Sequence, residues 1–120
     1  MARSCSPLKD LVIPNGTAVS NILLAKEQYA DADAVGIMTP ATIDAVAFTV
    51  EVSNDPAATA ASTWFTLQIG SDTLADSSVA TASKARVFYE IPVFAAFRIK
   101  AASNVAADRT FKANKTYLLT

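Results

Sequence analysis

The stretch from Met38 to Ile69 constrains the fold of this chain more than any other. Its first half, 44–52, alternates between large apolar residues and small or polar ones. The apolar side carries Val46, Phe48, Val50 and Val52, and the other side carries Ala45, Ala47, Thr49 and Glu51. A period of two residues predicts a β-strand with one buried face, so we expect Phe48 in the core and Glu51 in solvent.

A second strand is predicted from Thr63 to Ile69, after a turn at 53–56 and a loop of small residues. The turn follows from its composition, because proline donates no backbone hydrogen bond and Asn and Asp favour turns. Phe65, Leu67 and Ile69 share one face of this strand, and Trp64, the only tryptophan, lies opposite them. We expect the two strands to form the centre of a β-sandwich.

Short runs of alternating residues, separated by turn signals, continue along the rest of the chain. They predict strands at 8–14, 17–24, 35–38, 86–94, 97–103, 109–113 and 115–119. Turn signals at a spacing of about ten residues are typical of an antiparallel sandwich. The predicted fold is therefore all-β, a single jelly-roll-like antiparallel β-sandwich of about eight or nine strands.

Several local features complete this prediction. Residues 1–7 are small and polar and are expected to form a flexible N-terminal arm, with one domain over 8–120. Residues 25–34 are interpreted as the end of a strand and a loop, with a helix as the alternative. Residues 70–85 are predicted to form a surface contact loop, because long loops in small domains are often functional.

Two further expectations concern the later strands. Val87, Tyr89 and Ile91 are expected to share a face of the 86–94 strand, which Pro92 ends or places at a sheet edge. Asn114 is expected to form the turn between the last two strands, with Tyr117 and Leu119 facing inward.

Composition argues against most catalytic functions. The chain has no histidine, so it lacks the commonest general base and transition-metal ligand. Its three glycines are isolated, whereas a phosphate-binding loop needs them clustered. Asp72 and Asp76 are the best candidates for a catalytic carboxylate pair, and a solvated loop explains them better. We therefore expect a non-enzymatic protein without catalytic residues, cofactor or metal.

Charge and cysteine content narrow the partners and the compartment. The chain carries 10 basic and 11 acidic residues, for a net charge of −1, which favours neither nucleic acid nor an anionic membrane as a partner. It has no apolar run long enough to span a membrane, and its first residues lack the apolar centre of a signal peptide. A lone cysteine, Cys5, cannot form an internal disulfide. We expect the protein to be made in a cytoplasm.

A series of short segments over 8–120 resembles a class of small β-sandwich virion proteins of tailed bacteriophages. The matching segments are Thr39-Pro40-Ala41, Ala47-Phe48-Thr49, Val52 to Asp55, Trp64 to Leu67, Gly70, Ile91 to Phe94, Phe97 to Ser103, Arg109 and Tyr117 to Leu119. Members of the class often carry a glycine after the turn aspartate, where this chain has Pro56. All these segments are packing or turn features, and none carries catalytic chemistry.

This resemblance implies a structural role in a phage particle. The function expected from it is a capsid decoration (cement) protein that trimerises on the outer capsid surface, binds the major capsid protein and stabilises the head. The expected location is the virion, after synthesis in the host cytoplasm. Two alternatives stay open: a tail or fibre component, and a carbohydrate-binding module in which Trp64, Tyr89 or Tyr117 stacks on a sugar.

The predicted binding residues fall in two places. Only 18% of the residues are charged, and the outward side of the 44–52 strand is small and uncharged, which suits close approach of another chain. Ala45, Ala47 and Thr49 are therefore predicted to contact a partner. The second group is Arg3, Ser4 and Leu8, because an extended N-terminal arm can pair through its backbone with a neighbouring strand.

Overall fold

Two antiparallel sheets form the computed structural model, which describes residues 2–68 and 78–119. Sheet A contains β1 (Ala2–Pro7), β2 (Leu11–Ile13), β4 (Ala34–Met38), β7 (Ala85–Phe88) and β9 (Arg109–Leu119). Sheet B contains β3 (Leu23–Leu24), β5 (Phe48–Ser53), β6 (Phe65–Thr66) and β8 (Ala96–Ala101). A π-helical turn (Ala25–Tyr29) and a 3₁₀ turn (Ile91–Val93) connect strands of different sheets. The all-β sandwich prediction is confirmed.

The strand order is that of a jelly roll. β1 and β2 both pair with β9, and the backbone N–H of Leu8 between them also donates to β9 (2.9 Å to the carbonyl of Ala113). They therefore act as one bent strand, with one extra residue relative to β9 at the bend, as in a β-bulge. The orders β1/β2-β9-β4-β7 and β3-β8-β5-β6 then alternate between the sheets as a double-sheet jelly roll requires.

The core lies between the sheets and is built by the inward residues of the alternating strands. Phe48 of β5 is completely buried and contacts Phe111 of β9, with ring centroids 5.8 Å apart, which confirms its predicted core position. Tyr29 closes one end, where its ring packs edge-on against Phe97 and its hydroxyl donates to the Phe94 carbonyl at 3.1 Å. Burial raises the pKa of the Tyr29 hydroxyl above its usual range.

Residues 2–7 form β1, where the sequence suggested a flexible arm. β1 is an edge strand that pairs with the last residues of β9, from Ala2 opposite Leu119 to Pro7 opposite Asn114. Side chains of β9 reinforce the pairing, since the Thr116 hydroxyl donates to the Ser4 carbonyl at 3.1 Å. Backbone pairing needs no large side chains, so the small polar composition of this segment did not reveal it.

The end of the chain also differs from the prediction. Asn114 lies inside one continuous strand, β9, and does not form a turn between two strands. Its partner across the sheet is Gly36, and the Asn114 side chain occupies the space that a Cβ at Gly36 would need. The missing side chain at Gly36 thus lets asparagine remain within the strand. Of the residues expected inward, Tyr117 is half-buried.

The segment after β7 corrects the predicted 86–94 strand. β7 ends at Phe88, whose side chain is fully buried, while Val87 and Tyr89 are 54% and 61% exposed. Ile91 is fully buried in the 3₁₀ turn, so it does not share a face with Val87 and Tyr89 as predicted. Pro92 explains the difference, because it fixes the turn and resets the alternation.

Sheet B departs from the prediction at three points. Phe65 is 61% exposed although it lies opposite Val52, an inward residue. Glu51, expected in solvent, is only 6% exposed. Residues 25–29 form a single π-helical turn after β3, which is shorter than the helix over 25–34 that was the alternative prediction. The predicted contact loop 70–85 lies outside the described residues except for 78–85.

Candidate functional site

The six predicted contact residues occupy two separate parts of the fold. Arg3 and Ser4 lie in β1, at the edge of sheet A. Leu8 is only 8% exposed and belongs to the core, so it anchors the bulge between β1 and β2 and is not available as a surface contact. Ala45, Ala47 and Thr49 lie together on the outer side of sheet B, and this surface is called the β5 face below.

The β5 face is flanked by two shallow depressions. The larger, of about 570 Å³, runs from Asp44 along Ala45, Ala47 and Thr49 to Ser78. The smaller, of about 220 Å³, lies on the other side of Ala47 and Thr49. It is lined by Glu51, Thr66, Lys100, Ala101 and Ala102 in addition to those two residues. Ala45 and Ala47 are exposed and Thr49 is half-buried, so a partner can reach all three.

A covered ion pair lies beyond Thr49 on the same side of the sheet. Arg98 of β8 stands directly opposite Glu51 of β5, and its Nε donates to the Glu51 Oε1 at 2.9 Å. The Trp64 ring lies against the guanidinium, with Cζ 4.2 Å from the ring centroid. Trp64 is itself fixed, because its indole N–H donates to the Thr59 carbonyl at 3.0 Å. The loop between β5 and β6 therefore folds over the sheet and shields both charges.

A second ion pair lies at the opposite end of the β5 face. Arg109 of β9 donates from Nε to the Asp44 Oδ1 at 2.6 Å, and the Asp44 Oδ2 accepts from the Ala106 backbone N–H at 2.9 Å. These bonds, that with Arg109 first, hold the pKa of the Asp44 carboxyl below its usual value. Both bonds are made to the ionised carboxylate, so they favour the charged form of Asp44.

The resulting surface suits packing against another chain. The outer side of the strand carries small side chains. The charged groups at its two ends, Glu51 and Asp44, are paired with arginines of the same chain. Lys100, whose side chain is 51% exposed and 4.0 Å from Glu51, is the one cation among the described residues that line the smaller depression. A partner can approach this face closely without stripping water from unpaired charges, which is the costly step in burying polar groups.

The aromatic residues do not form a sugar-binding platform on this face. One side of Trp64 is covered by Arg98, and its indole N–H is already bonded, so it has a structural role. Tyr117 is half-buried, with the Lys115 ammonium 5.8 Å from its ring centroid. Tyr89 is exposed, but it directly follows β7, which belongs to sheet A, whereas the β5 face lies on sheet B.

A further surface, which was not predicted from the sequence, lies at the β7 edge of sheet A. Val87 and Tyr89 are exposed there, and Val93, in the turn that follows, is 78% exposed. Met38, 36% exposed, lies opposite Ala85 on the neighbouring strand. Apolar residues lie on both faces around β7, so strand alternation does not predict which of them face solvent.

Metal binding, membrane crossing and the single thiol are the remaining features to place within the described residues. Within 2–68 and 78–119, no group of three or more His, Cys, Asp or Glu side chains is placed to hold a metal ion. No helix in these ranges is long and apolar enough to cross a membrane. Cys5 is a free, exposed thiol whose sulfur accepts from the Asn114 amide at 3.3 Å. Asp72 and Asp76 lie outside the described residues.

Comparison of the chain with models of protein families, with curated proteins and with solved structures gave no match. The functional argument therefore depends on the fold and on the surfaces described above.

Proposed function

We propose that this chain is a non-enzymatic structural protein of a phage virion, a capsid decoration protein that binds the major capsid protein on the outer surface of the head. The β5 face is the observation that carries the proposal. It combines small side chains with charges that are paired inside the chain, which is a surface built for contact with another protein. The jelly roll itself is an architecture used in viral capsid domains and lectins.

The expected mode of action is stabilisation by selective binding. A protein that binds only the assembled shell raises the stability of that shell by mass action, without any catalytic step. A jelly roll with a rigid outer face is suited to this, because little conformational freedom is lost on binding. In this proposal three copies gather at each threefold position of the shell and lie across the joints between capsomers.

The proposal is tested by binding to undecorated capsids of the phage that encodes the chain. We expect the purified protein to co-sediment with these capsids and the Ala47→Glu variant to co-sediment at least tenfold less, because the longer, charged side chain prevents close approach to the β5 face and must lose water at the contact. Ala30→Glu is the matched control, since Ala30 is an exposed alanine in the turn before β4. It should bind as the unaltered protein does.

Two results would reject the proposal. One is a chain that does not bind capsids at all, and the other is equal binding by Ala47→Glu and the unaltered protein. In the first case a tail or fibre component becomes the better interpretation, and binding to purified tails tests it directly. Circular dichroism of each variant checks that the sandwich is intact.

A further inference from the structure

Along its outer edge, the backbone of β7 has no partner among residues 2–68 and 78–119. Thr39 donates its N–H to the Lys84 carbonyl at 2.8 Å, which fixes the hydrogen-bonding pattern between β4 and β7. Bonded positions alternate in an antiparallel pair, so Lys84, Arg86 and Phe88 direct their backbone groups toward β4. The backbone groups of Ala85 and Val87 point the other way. No other described strand pairs with β7 on that side.

The side chains at this edge are apolar and self-complementary. Residues that stand opposite each other in an antiparallel pair share a face, so Ala85 and Val87 lie beside Met38 and Gly36 on the outer side of sheet A. Val87 is more than half exposed, at 54%. An edge strand with free backbone groups and exposed apolar side chains is a template for pairing with another strand.

We propose that β7 pairs with β7 of a second copy of this chain, antiparallel about a twofold axis at Val87. In this register Val87 stands opposite Val87, and Ala85 of each copy stands opposite Tyr89 of the other. Ala85 and Val87 are the residues of β7 whose backbone groups point outward, so this register uses the outward groups of both strands. Sheet A then becomes continuous across the two molecules.

Charge selects the same partner and the same register. Lys84 and Glu90 flank β7, and neither side chain forms an ion pair within the described residues. Antiparallel pairing centred on Val87 brings Lys84, just before β7 of each copy, close to Glu90, just after β7 of the other, so that opposite charges meet at both ends of the contact. Opposite charges in facing positions stabilise a strand pair, and like charges destabilise it.

Shifted registers are less favourable. A shift of the twofold axis to Arg86 sets two guanidinium groups opposite each other, and a shift to Phe88 runs the pairing into the turn at Ile91–Val93. The contact uses the opposite sheet from the β5 face. It can therefore join molecules of neighbouring threefold groups on a shell, and it does not depend on the proposed function.

The test is the mass of the purified protein by sedimentation at micromolar concentrations, for the unaltered chain and two matched variants. Val87→Lys sets two lysines opposite each other at the axis, and we expect it to halve the mass of the assembled species. Val93→Lys makes the same substitution at a still more exposed valine outside β7, and we expect it to leave the mass unchanged. Both variants should retain the melting temperature of the fold, since both valines are exposed.

A charge exchange then tests the register. Glu90→Lys alone should weaken the dimer at least tenfold, and the combination with Lys84→Glu should restore it. An unaltered chain that remains at the 12.6 kDa of a single copy would overturn the proposal and leave this edge to a strand of a different protein. Equal masses for Val87→Lys and the unaltered protein would also overturn it, as would a double variant that stays as weak as Glu90→Lys.

Discussion

The β5 face and the β7 edge are two surfaces of one sandwich with opposite properties. On β5 the backbone is paired on both sides, by β8 and by β6 with the bridge to Ser78, so only side chains are left to bind a partner. On β7 the outward backbone groups have no partner in the described part of the chain, and the side chains beside them, Ala85 and Val87, are apolar and exposed. A partner of β5 must therefore pack against its side chains, whereas a partner of β7 must add a strand to the sheet.

The largest expected effect is the loss of stability when a buried residue of β5 is truncated, compared with an exposed residue of β7. Phe48→Ala removes a fully buried ring that contacts both sheets, and it should lower the free energy of unfolding by roughly 3–5 kcal/mol. Val87→Ala on β7 should cost less than about 0.5 kcal/mol in the monomer, as exposed positions do. Urea unfolding of both variants measures this. A cost below about 1 kcal/mol for Phe48→Ala would contradict the assigned face of β5.

The covered ion pair gives the next largest effect. Glu51→Ala leaves the Arg98 guanidinium without its carboxylate under Trp64, and it should lower the free energy of unfolding by about 3 kcal/mol. Replacing Glu51 and Arg98 together by leucine should recover most of that loss, because no unpaired charge then remains.

Urea unfolding of the single and double variants measures the free energy of unfolding of each, and the two losses are then compared. Lys112→Ala is the control, because its bond to Asp10 is exposed and should contribute little. If the Glu51 and Lys112 variants lost equal stability, the pair would be an ordinary surface contact, and the contrast between the β5 face and the rest of the surface would be weaker.

These two strands also show what the sequence could and could not predict. β5 was assigned correctly because Phe48, Val50 and Val52 alternate along the strand with small or polar residues. β7 was not, because Val87 and Phe88 are both large and apolar, and Pro92 breaks the period that linked Val87 to Ile91. Burial of Glu51 depends on Arg98, which lies 47 residues away in sequence, and strand alternation carries no signal at that distance.

The candidate site was predictable to the same extent. Ala45, Ala47 and Thr49 were found because they share the alternation that defines the core, so a correct core places a correct outer face. Leu8 was assigned to the surface because the N-terminal segment has no periodicity of its own. Its position depends on β9, whose continuity in turn depends on the fit between Asn114 and Gly36.

A smaller effect concerns acid stability at the Asp44 end of the β5 face. The pKa of Asp44 is lower in the folded chain, so its pairing with Arg109 stabilises the fold fully at pH values above its unfolded pKa. That stability is lost as the pH falls through the lower, folded pKa. Asp44→Asn should therefore be less stable than the unaltered protein at neutral pH, and the difference should shrink in acid.

Melting curves between neutral pH and about pH 2, below the usual range of aspartate pKa values, measure this effect. Asp55→Asn is the control, because Asp55 lies in an exposed loop and forms no ion pair within the described residues. A difference between Asp44→Asn and the unaltered protein that stays constant with pH would contradict the assigned role of the ion pair.

The smallest expected effect is at Cys5 in β1. Cys5→Ser should change the free energy of unfolding by less than about 0.5 kcal/mol, because the residue is exposed and the serine hydroxyl can also accept from Asn114. Thermal melting and the sedimented mass of the variant check this. A large loss of either would show that β1 is buried in a contact between molecules.

The central claim, that this chain stabilises a shell by binding to it, is tested most directly by heating undecorated capsids with and without the protein. We expect the unaltered chain to raise the temperature at which the capsids rupture, and Ala47→Glu to do so much less than Ala30→Glu. Capsids that rupture at the same temperature in the presence and absence of saturating unaltered protein would contradict it.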